Sequence, residues 1–305
     1  MAPDLFPGFT AETLSPAGVP LFVRRGGQGP ALLLLHGHPQ THAMWHRLAP
    51  ALAQRFTLVI PDLRGYGRSA RVAAPAGGSE PAAYARRVQA AELHALMRAL
   101  GHARYGVLAH DRGARAAHRL ALDEPAAVQR LMLLDVAPTL AMYEQAGDAF
   151  ARAYWHWFFL IQPPPLPERL IEADPAAYLR DVMGRRHAGL AAFDPAAWAD
   201  YEAGIRRAGS AQAICDDYRA AAGIDLEHDR ASRAQGRRLT PPVAVRWAEH
   251  GAVGRCFDVP ALWREAVAEP ARLDARAMPC GHYIAEEQPG ALLADALDFF
   301  SPLET

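Results

Sequence analysis

The stretch Ala109-His110-Asp111-Arg112-Gly113-Ala114-Arg115 decides the fold of this 305-residue chain. It follows the apolar run Tyr105-Gly106-Val107-Leu108 and opens a segment with helical periodicity. Ala109 and Gly113 each lie two positions from Asp111, and small residues at this spacing are what a sharp strand-to-helix turn requires. The stretch therefore predicts a strand, a tight turn that carries Asp111, and a helix.

On either side of this stretch, apolar runs alternate with helical patterns. This alternation predicts an α/β fold with a mostly parallel central sheet flanked by helices. One helix is expected to stop at Gly101 and a second to run from Gly113 to Asp123, before Pro125. The predicted strands are Val19–Arg24, Ala31–His36, Thr57–Pro61, Tyr105–Ala109, Leu131–Asp135, Val243–Trp247 and Leu273–Met278.

The alternation breaks between about Ala137 and Arg238. This segment is rich in aromatic residues and proline and contains no convincing strand. It predicts a helical cap, residues 138–238, inserted into a core domain formed by residues 1–137 and 239–305.

Composition and charge narrow the class of protein. A net charge of -1, with 51% hydrophobic and 21% charged residues, is typical of a soluble globular protein without a nucleic-acid partner. No apolar stretch is long enough to span a bilayer, and the N-terminus lacks a signal core, so we expect a cytoplasmic protein without a membrane partner. The three cysteines form no CxxC pair, which argues against a structural zinc site.

Asp111 is the candidate nucleophile. A carboxylate at such a turn can displace a leaving group from carbon and form an ester on its own side chain. The alternative is a structural role, since aspartate is a common helix N-cap residue. Hydrolysis of the ester needs a base, and His282 is the candidate because it lies in a loop after the last predicted strand. A surface histidine is the alternative in a chain with 13 histidines.

The acid that orients His282 is chosen by position. Asp135 ends the predicted strand Leu131–Asp135, and carboxyl ends of strands are where open α/β sheets build their sites. Glu249 and Asp258, which follow the next strand, remain alternatives.

Backbone and arginine groups near Asp111 are candidates for binding oxyanions and substrate. The turn at His36-Gly37-His38-Pro39 can direct the backbone N–H of His38 into the site, where it would pair with the N–H of Arg112 as an oxyanion hole. Arg112 and Arg115 share one helical face and could bind a carboxylate, although two arginines on a helix are often only solvated.

The predicted cap contributes His156, Trp157 and Tyr218, which each carry an N–H or O–H on an aromatic body. In a dehydrated pocket these donors could stabilise a departing halide. They could equally well pack the cap onto the core.

Taken together, these motifs resemble the α/β-hydrolase superfamily and, within it, the fluoroacetate (haloacetate) dehalogenases. The resemblance covers nearly the whole chain and is carried by His36-Gly37-His38-Pro39-Gln40, Asp62-Leu63-Arg64-Gly65-Tyr66-Gly67-Arg68-Ser69, His110-Asp111-Arg112-Gly113-Ala114-Arg115, Leu134-Asp135, Tyr154-Trp155-His156-Trp157, Cys215-Asp216-Asp217-Tyr218-Arg219 and Gly281-His282. It implies an α/β-hydrolase fold, a nucleophilic aspartate at 111, a base at His282 with Asp135 as its acid, and no metal or organic cofactor.

The same resemblance implies the remaining roles. Arg112 and Arg115 would hold the substrate carboxylate, and His156, Trp157 and Tyr218 would hold the halide. The expected reaction is hydrolysis of a short 2-haloacid to the 2-hydroxyacid, by a homodimer.

Two residues depart from the family pattern, in which glycine is common at position 114 and an aromatic residue is frequent at position 38. Ala114 adds a methyl group and His38 adds polarity, so either residue could alter substrate preference. Two other functions stay open: an epoxide hydrolase, for which Tyr143, Tyr154 and Tyr218 would activate the ring oxygen, and a ligand-binding protein without turnover.

Overall fold

A computed structural model describes residues 4–72 and 78–304 of the chain. At its centre lies an eight-stranded sheet with the strand order β1-β2-β4-β3-β5-β6-β7-β8. The strands are β1 (Thr10–Leu14), β2 (Leu21–Gly26), β3 (Ala31–Leu35), β4 (Thr57–Pro61), β5 (Tyr105–His110), β6 (Val128–Leu134), β7 (Val243–Ala248) and β8 (Leu273–Met278). β2 pairs antiparallel with both β1 and β4, and the other pairings are parallel. The predicted α/β fold with a mostly parallel sheet is confirmed.

The central strands are rich in apolar residues, which favours their burial in the middle of the sheet. β3 and β5 are buried at every residue, as expected for strands covered on both faces. β1 was absent from the predicted strands because it lies at the sheet edge, with polar and exposed residues that produce no apolar run.

The core contains helices from two parts of the chain, one before and one after the long segment that separates β6 from β7. Before the insertion they are α1 (Ala49–Leu52), α2 (Arg86–Ala99) and α3 (Asp111–Asp123), with 3₁₀ helices at His42–Trp45 and Pro81–Tyr84. The predicted helix after Asp111 is present and begins two residues earlier than expected, at Asp111 itself.

Residues 139–234, between β6 and β7, form helices and no strand, and we call them the helical insertion. Its helices are α4 (Thr139–Glu144), α5 (Asp148–Ala153), α6 (Trp155–Leu160), α7 (Leu166–Ala173), α8 (Pro175–Gly184), α9 (Pro195–Ile205), α10 (Ser210–Ala222) and α11 (Ile224–Ala234), with a 3₁₀ helix at Gly189–Ala192. After it come α12 (Ala252–Cys256), α13 (Val259–Ala266), a 3₁₀ helix at Pro270–Arg272, α14 (Ile284–Glu287) and α15 (Pro289–Phe300).

The strand order creates a crevice at the carboxyl edge of the sheet. From β3 the chain passes to β4 on one side, whereas β5 lies on the other side of β3. Ligands of open α/β sheets bind at such a switch point, beyond the carboxyl ends of the strands. The loops after β3 and β5, which carry His38 and Asp111, meet there. Within the described residues, no helix is both long and apolar enough to cross a membrane.

Candidate active site

Asp111 occupies the tight turn between β5 and α3. Its φ of +43° is in the left-handed region, which a residue other than glycine adopts at a cost of about 1–3 kcal/mol. Two glycines make room for the turn. A Cβ at Gly113 would lie 2.4 Å from the carbonyl oxygen of His36, and one at Gly37 would lie 2.5 Å from the Cβ of Asp111. Close backbone approach therefore explains the small residues around Asp111.

The surroundings of Asp111 keep its carboxylate ionised. Burial alone would raise the pKa of the Asp111 carboxyl, but the electrostatic effect of the neighbouring His282 and Arg115 side chains outweighs burial and holds this pKa well below its usual range. The backbone N–H of His38 donates to Asp111 Oδ2 at 3.2 Å. The N–H of Arg112 belongs to the first turn of α3, whose amide groups have no acceptor within the helix. The N–H of His38, one of the two amides predicted as an oxyanion hole, thus contacts the Asp111 carboxylate, and that of Arg112 follows it at the start of α3.

His282 and Asp135 are brought into direct contact. His282 Nδ1 lies 2.5 Å from Asp135 Oδ2, and the N–H of Ala248 donates to Asp135 Oδ1 at 2.9 Å. Asp135 has a φ of +49°, so it too is held in a strained turn after its strand. The competing carboxylates lie elsewhere: Glu249 is exposed, and Asp258 caps the N-terminus of α13.

Arg112 is already paired with a carboxylate of the protein, whereas the sequence predicted a guanidinium available to the substrate. Its Nε donates to Asp217 Oδ2 and its Nη2 to the carbonyl oxygen of Asp217, both at 2.6 Å. Asp217 also forms an ion pair with Arg86 at 2.6 Å. A fully buried guanidinium requires such a counter-ion, because an unpaired charge away from water is very costly. Nη1 of Arg112 lacks a partner, so its two N–H groups remain to contact a ligand.

Arg115, one turn further along α3, has no carboxylate partner within 4 Å among residues 4–72 and 78–304. Its Nη1 donates to Thr139 Oγ1 at 2.9 Å and to the carbonyl oxygen of Ala137 at 3.4 Å, and its Nη2 lies 3.3 Å from the sulfur of Met142. Its Nε is buried without a partner. Its guanidinium lies 4.6 Å from the ring centre of Trp157. Arg115 is therefore the guanidinium that an incoming anion can neutralise.

The helical insertion brings His156, Trp157 and Tyr218 onto the two arginines. The ring of Tyr218 lies 4.1 Å from the guanidinium of Arg112, 5.9 Å from the ring of His156 and 6.4 Å from that of Trp157. Nε1 of Trp157 and the hydroxyl of Tyr218 are buried without hydrogen-bond partners. Burial raises the pKa of Tyr218 well above its ordinary value, so the hydroxyl keeps its proton. These groups are donors available to a bound anion.

The imidazoles of His156 and His38 are neutral. Burial and the charge of Arg186 lower the pKa of His156 well below 6.5, and burial lowers the pKa of His38 to about 3. His38 Nε2 forms a hydrogen bond of 3.1 Å with the hydroxyl of Tyr178. The ring of His38 therefore makes a polar contact to the insertion. Ala114, the other departure from the family pattern, is fully buried in α3.

The sequence analysis assigned no role to Asp217 or Arg186. It also did not predict where Tyr143 and Tyr154 lie relative to the site. Tyr154 lies 3.4 Å from His282 Nδ1, and Tyr143 has a buried hydroxyl without a partner. The position of Asp217 directly before Tyr218 was the available signal, because α10 carries both. Arg186 had no sequence signal. In the described part of the chain, no group of three or more His, Cys, Asp or Glu side chains could hold a metal ion.

Comparison with known proteins finds similar proteins among both dehalogenases and epoxide hydrolases. The family model described as alpha/beta hydrolase fold matches residues 30–289. A fluoroacetate dehalogenase of Burkholderia sp. is 38% identical over 93% of this chain and 91% of that protein. A soluble epoxide hydrolase of Corynebacterium sp. (strain C12) is 34% identical over 91% of this chain and 92% of that protein.

A solved structure extends the similarity to the whole fold. The crystal structure of ALR0039 from Nostoc sp. PCC 7120 matches with a TM-score of 0.90 and 43% identity, over 96% of this chain and 98% of that one. The chain is therefore a hydrolase of the α/β-hydrolase superfamily that belongs to the family of the fluoroacetate dehalogenases and is also similar to a soluble epoxide hydrolase.

Proposed function

We propose that this protein hydrolyses a short 2-haloacid, such as haloacetate, to the 2-hydroxyacid and halide through an ester on Asp111. Fluoroacetate is included among the candidate substrates. The proposal rests on one observation: buried donors without partners surround an ionised carboxylate. They are Arg112 Nη1, Arg115 Nε, Trp157 Nε1 and the Tyr218 hydroxyl.

Binding would begin with the substrate carboxylate on Arg115, whose charge has no carboxylate of its own to neutralise it. Arg112 contributes the N–H groups of Nη1, since its Nε and Nη2 donate to Asp217. A buried donor without a partner is unfavourable in the empty protein, and a bound anion removes this penalty. This arrangement favours a small anion over a neutral substrate.

In the first step an oxygen of Asp111 attacks the carbon that carries the halogen. The new C–O bond forms as the C–X bond breaks, and the halide leaves with the bonding electron pair. The developing negative charge would be stabilised by the N–H groups of His156 and Trp157 and by the hydroxyl of Tyr218. Because these groups are neutral donors in a water-poor pocket, they stabilise halide without adding a further positive charge.

In the second step His282 accepts a proton from water, whose oxygen attacks the carbonyl carbon of the Asp111 ester. The contact of 2.5 Å to Asp135 orients His282 and stabilises its protonated form. The N–H groups of His38 and Arg112 would bind the oxyanion. Collapse of this intermediate releases the 2-hydroxyacid and leaves Asp111 with an oxygen atom from water.

An epoxide hydrolase is the second candidate, and one observation favours it. The hydroxyls of Tyr143 and Tyr218 are both buried without partners and could donate to an epoxide oxygen. The same Asp111 and His282 would then open the ring and hydrolyse the ester. Arg115 argues against this alternative, because a neutral epoxide leaves its charge without a partner.

The two reactions are separated by their products. We expect halide release from chloroacetate and fluoroacetate, measured by ion chromatography, and no diol from styrene oxide. Diol formation without halide release would support the epoxide hydrolase. No product from any of these compounds would leave a binding function.

A further inference from the structure

A cavity of about 580 Å³ lies beside the candidate active site and opens onto His282. It is formed by the helical insertion on one side and by the loop and helix after β7 on the other. Haloacetate is far smaller than this volume, and its only carboxylate is accounted for by Arg115 and Arg112. The proposed reaction on haloacetate therefore leaves the cavity without a use.

The lining of the cavity is positively charged. Four arginines face two carboxylates, namely Arg152, Arg185, Arg186 and Arg255 against Asp181 and Glu249. Arg152 is paired with Asp148 at 2.8 Å and Arg185 with Asp181 at 3.4 Å. Arg186 and Arg255 have no carboxylate within 4 Å in the described ranges 4–72 and 78–304. The positive charge that is free to bind a ligand is thus concentrated on these two.

Arg186 is the one that reaches the reaction centre. Its guanidinium lies 4.6 Å from the ring centre of Tyr154, and the hydroxyl of Tyr154 lies 3.4 Å from His282 Nδ1. The ring of Tyr154 lies 5.9 Å from that of Trp157, which in turn covers Arg115. Arg186 and Arg115 are therefore two separate cations that contact different rings of one aromatic pair.

We propose that Arg186 binds a second carboxylate of the substrate, so that the preferred substrates are short 2-halodicarboxylates such as 2-chlorosuccinate. This inference rests on the proposed function and names its substrate class. The carboxylate beside the reacting carbon binds Arg115, and the distal carboxylate extends into the cavity and binds Arg186. Arg255 adds positive charge further out in the same cavity. A guanidinium without a counter-ion is suited to this task because it binds carboxylate in a bidentate manner.

The test compares 2-chlorosuccinate with its distal half-amide, which has the same shape but a neutral carboxamide in place of the second carboxylate. We expect wild-type kcat/KM to be at least about tenfold higher for the dicarboxylate, since a charge-assisted hydrogen bond is lost in the amide. Arg186→Gln should abolish this preference, mainly through KM. Arg185→Gln is the matched control, because Arg185 lies in the same cavity but is paired with Asp181; it should preserve the preference.

Two results would overturn the proposal. They are equal kcat/KM for the two compounds in the wild type and an unchanged preference in Arg186→Gln. An equal loss for both compounds in that variant leaves the preference unchanged and would indicate that Arg186 attracts any anion. Chloroacetate is assayed in parallel, so that turnover of chloroacetate without a dicarboxylate preference refutes this inference alone.

Binding provides a readout that does not depend on turnover. Succinate and succinamate carry no halogen, and their affinities can be measured by calorimetry on the same three proteins. We expect the wild type and Arg185→Gln to prefer succinate and Arg186→Gln to lose that preference. If no haloacid is hydrolysed, the proposed function fails, and the calorimetry still decides whether Arg186 recognises a second carboxylate.

Discussion

The candidate site has two sides that differ in whether their polar side chains have hydrogen-bond partners. On the sheet side, which comprises Asp111, Asp135 and His282, each side chain is held by a hydrogen bond to the protein. On the insertion side, Trp157 and Tyr218 present a buried N–H and O–H that no described residue accepts.

Under the proposed function, this difference separates groups that react from groups that receive a ligand. A nucleophile and its base must be oriented before the substrate arrives, so they are fixed by neighbours. A donor that stabilises a leaving group must be free to meet it, so it remains unpaired in the empty protein and reduces its stability. Removing a group from the sheet side should therefore change the chemistry, whereas removing a donor from the insertion side should lower activity but not stability.

The largest effect is expected for His282→Gln on the sheet side. Asp111 can still attack the substrate in this variant, but no base activates water, so the ester should accumulate. Steady-state halide release should fall by about 10³-fold or more. Intact-protein mass spectrometry after incubation with chloroacetate should detect a carboxymethyl group on the chain.

The double variant Asp111→Asn/His282→Gln is the control for this prediction. It lacks the nucleophile and should gain no mass. Near-normal turnover in His282→Gln, or a mass gain that persists in the double variant, would show that Asp111 does not carry the intermediate.

The next largest effect is expected beneath the substrate pocket, where Asp217 neutralises Arg112. Asp217→Asn leaves buried Arg112 and Arg86 without this counter-ion. Breaking one partner of a buried ion pair costs about 3–5 kcal/mol, which should appear as a lower free energy of unfolding in urea.

An exposed ion pair provides the comparison for Asp217. Asp148→Asn, which removes the partner of exposed Arg152, should change the free energy of unfolding by less than about 1 kcal/mol. Equal effects of the two substitutions would mean that Arg112 does not depend on Asp217 for its charge balance.

The fold and the sheet side of the site were largely predictable from the sequence. Apolar runs locate the buried strands, and the small residues around Asp111 indicate the turn before any coordinates are known. Asp135 could be preferred over Glu249 because the end of a parallel strand is a fixed place in the sheet. Local patterns suffice to place each of these residues at the end of a strand, and the parallel sheet then brings the strand ends to one edge.

The insertion side was less predictable because its contacts join distant segments. Arg112 and Asp217 are 105 positions apart, and no local pattern indicates that one neutralises the other. The sequence suggested two equivalent arginines for a carboxylate, whereas the structure distinguishes a paired Arg112 from an unpaired Arg115. Arg186 lies in the turn between α8 and the 3₁₀ helix at Gly189–Ala192, where the sequence has no motif, and its place beside the site is known only from the structure.

A smaller effect is expected for Trp157→Phe on the insertion side. The variant removes a buried N–H that has no partner, so the free energy of unfolding should stay constant or rise. Loss of one halide donor should lower the kcat for halide release by about 10- to 100-fold.

Trp263→Phe is the matched substitution for stability. Its Nε1 donates to the carbonyl oxygen of Val136 at 2.8 Å, so its removal leaves a buried acceptor unpaired. This variant should lose about 1–3 kcal/mol of unfolding free energy. A larger stability loss in Trp157→Phe than in Trp263→Phe would contradict the view that the insertion side is built for a ligand.

The smallest effect concerns Glu286, a buried group without a full set of partners that lies outside the site. Its Oε1 accepts hydrogen bonds from Tyr201 and Gln40, whereas its Oε2 has none. Burial raises the pKa of Glu286 to about 7, well above the value near 4.3 of an unfolded chain. Between these values the folded state holds a proton that the unfolded state has released, so stability falls as the pH rises through 7. The wild type should lose about 1 kcal/mol more unfolding free energy than Glu286→Gln between pH 6 and pH 8. Urea titrations of both proteins at the two pH values measure this difference.

Activity provides the control for Glu286, which belongs to neither the sheet side nor the insertion side of the site. We expect kcat/KM for chloroacetate to be alike in the two proteins at pH 6, because Glu286 faces no ligand. Parallel pH profiles of stability would instead mean that Glu286 is ionised throughout and that its unpaired oxygen is solvated.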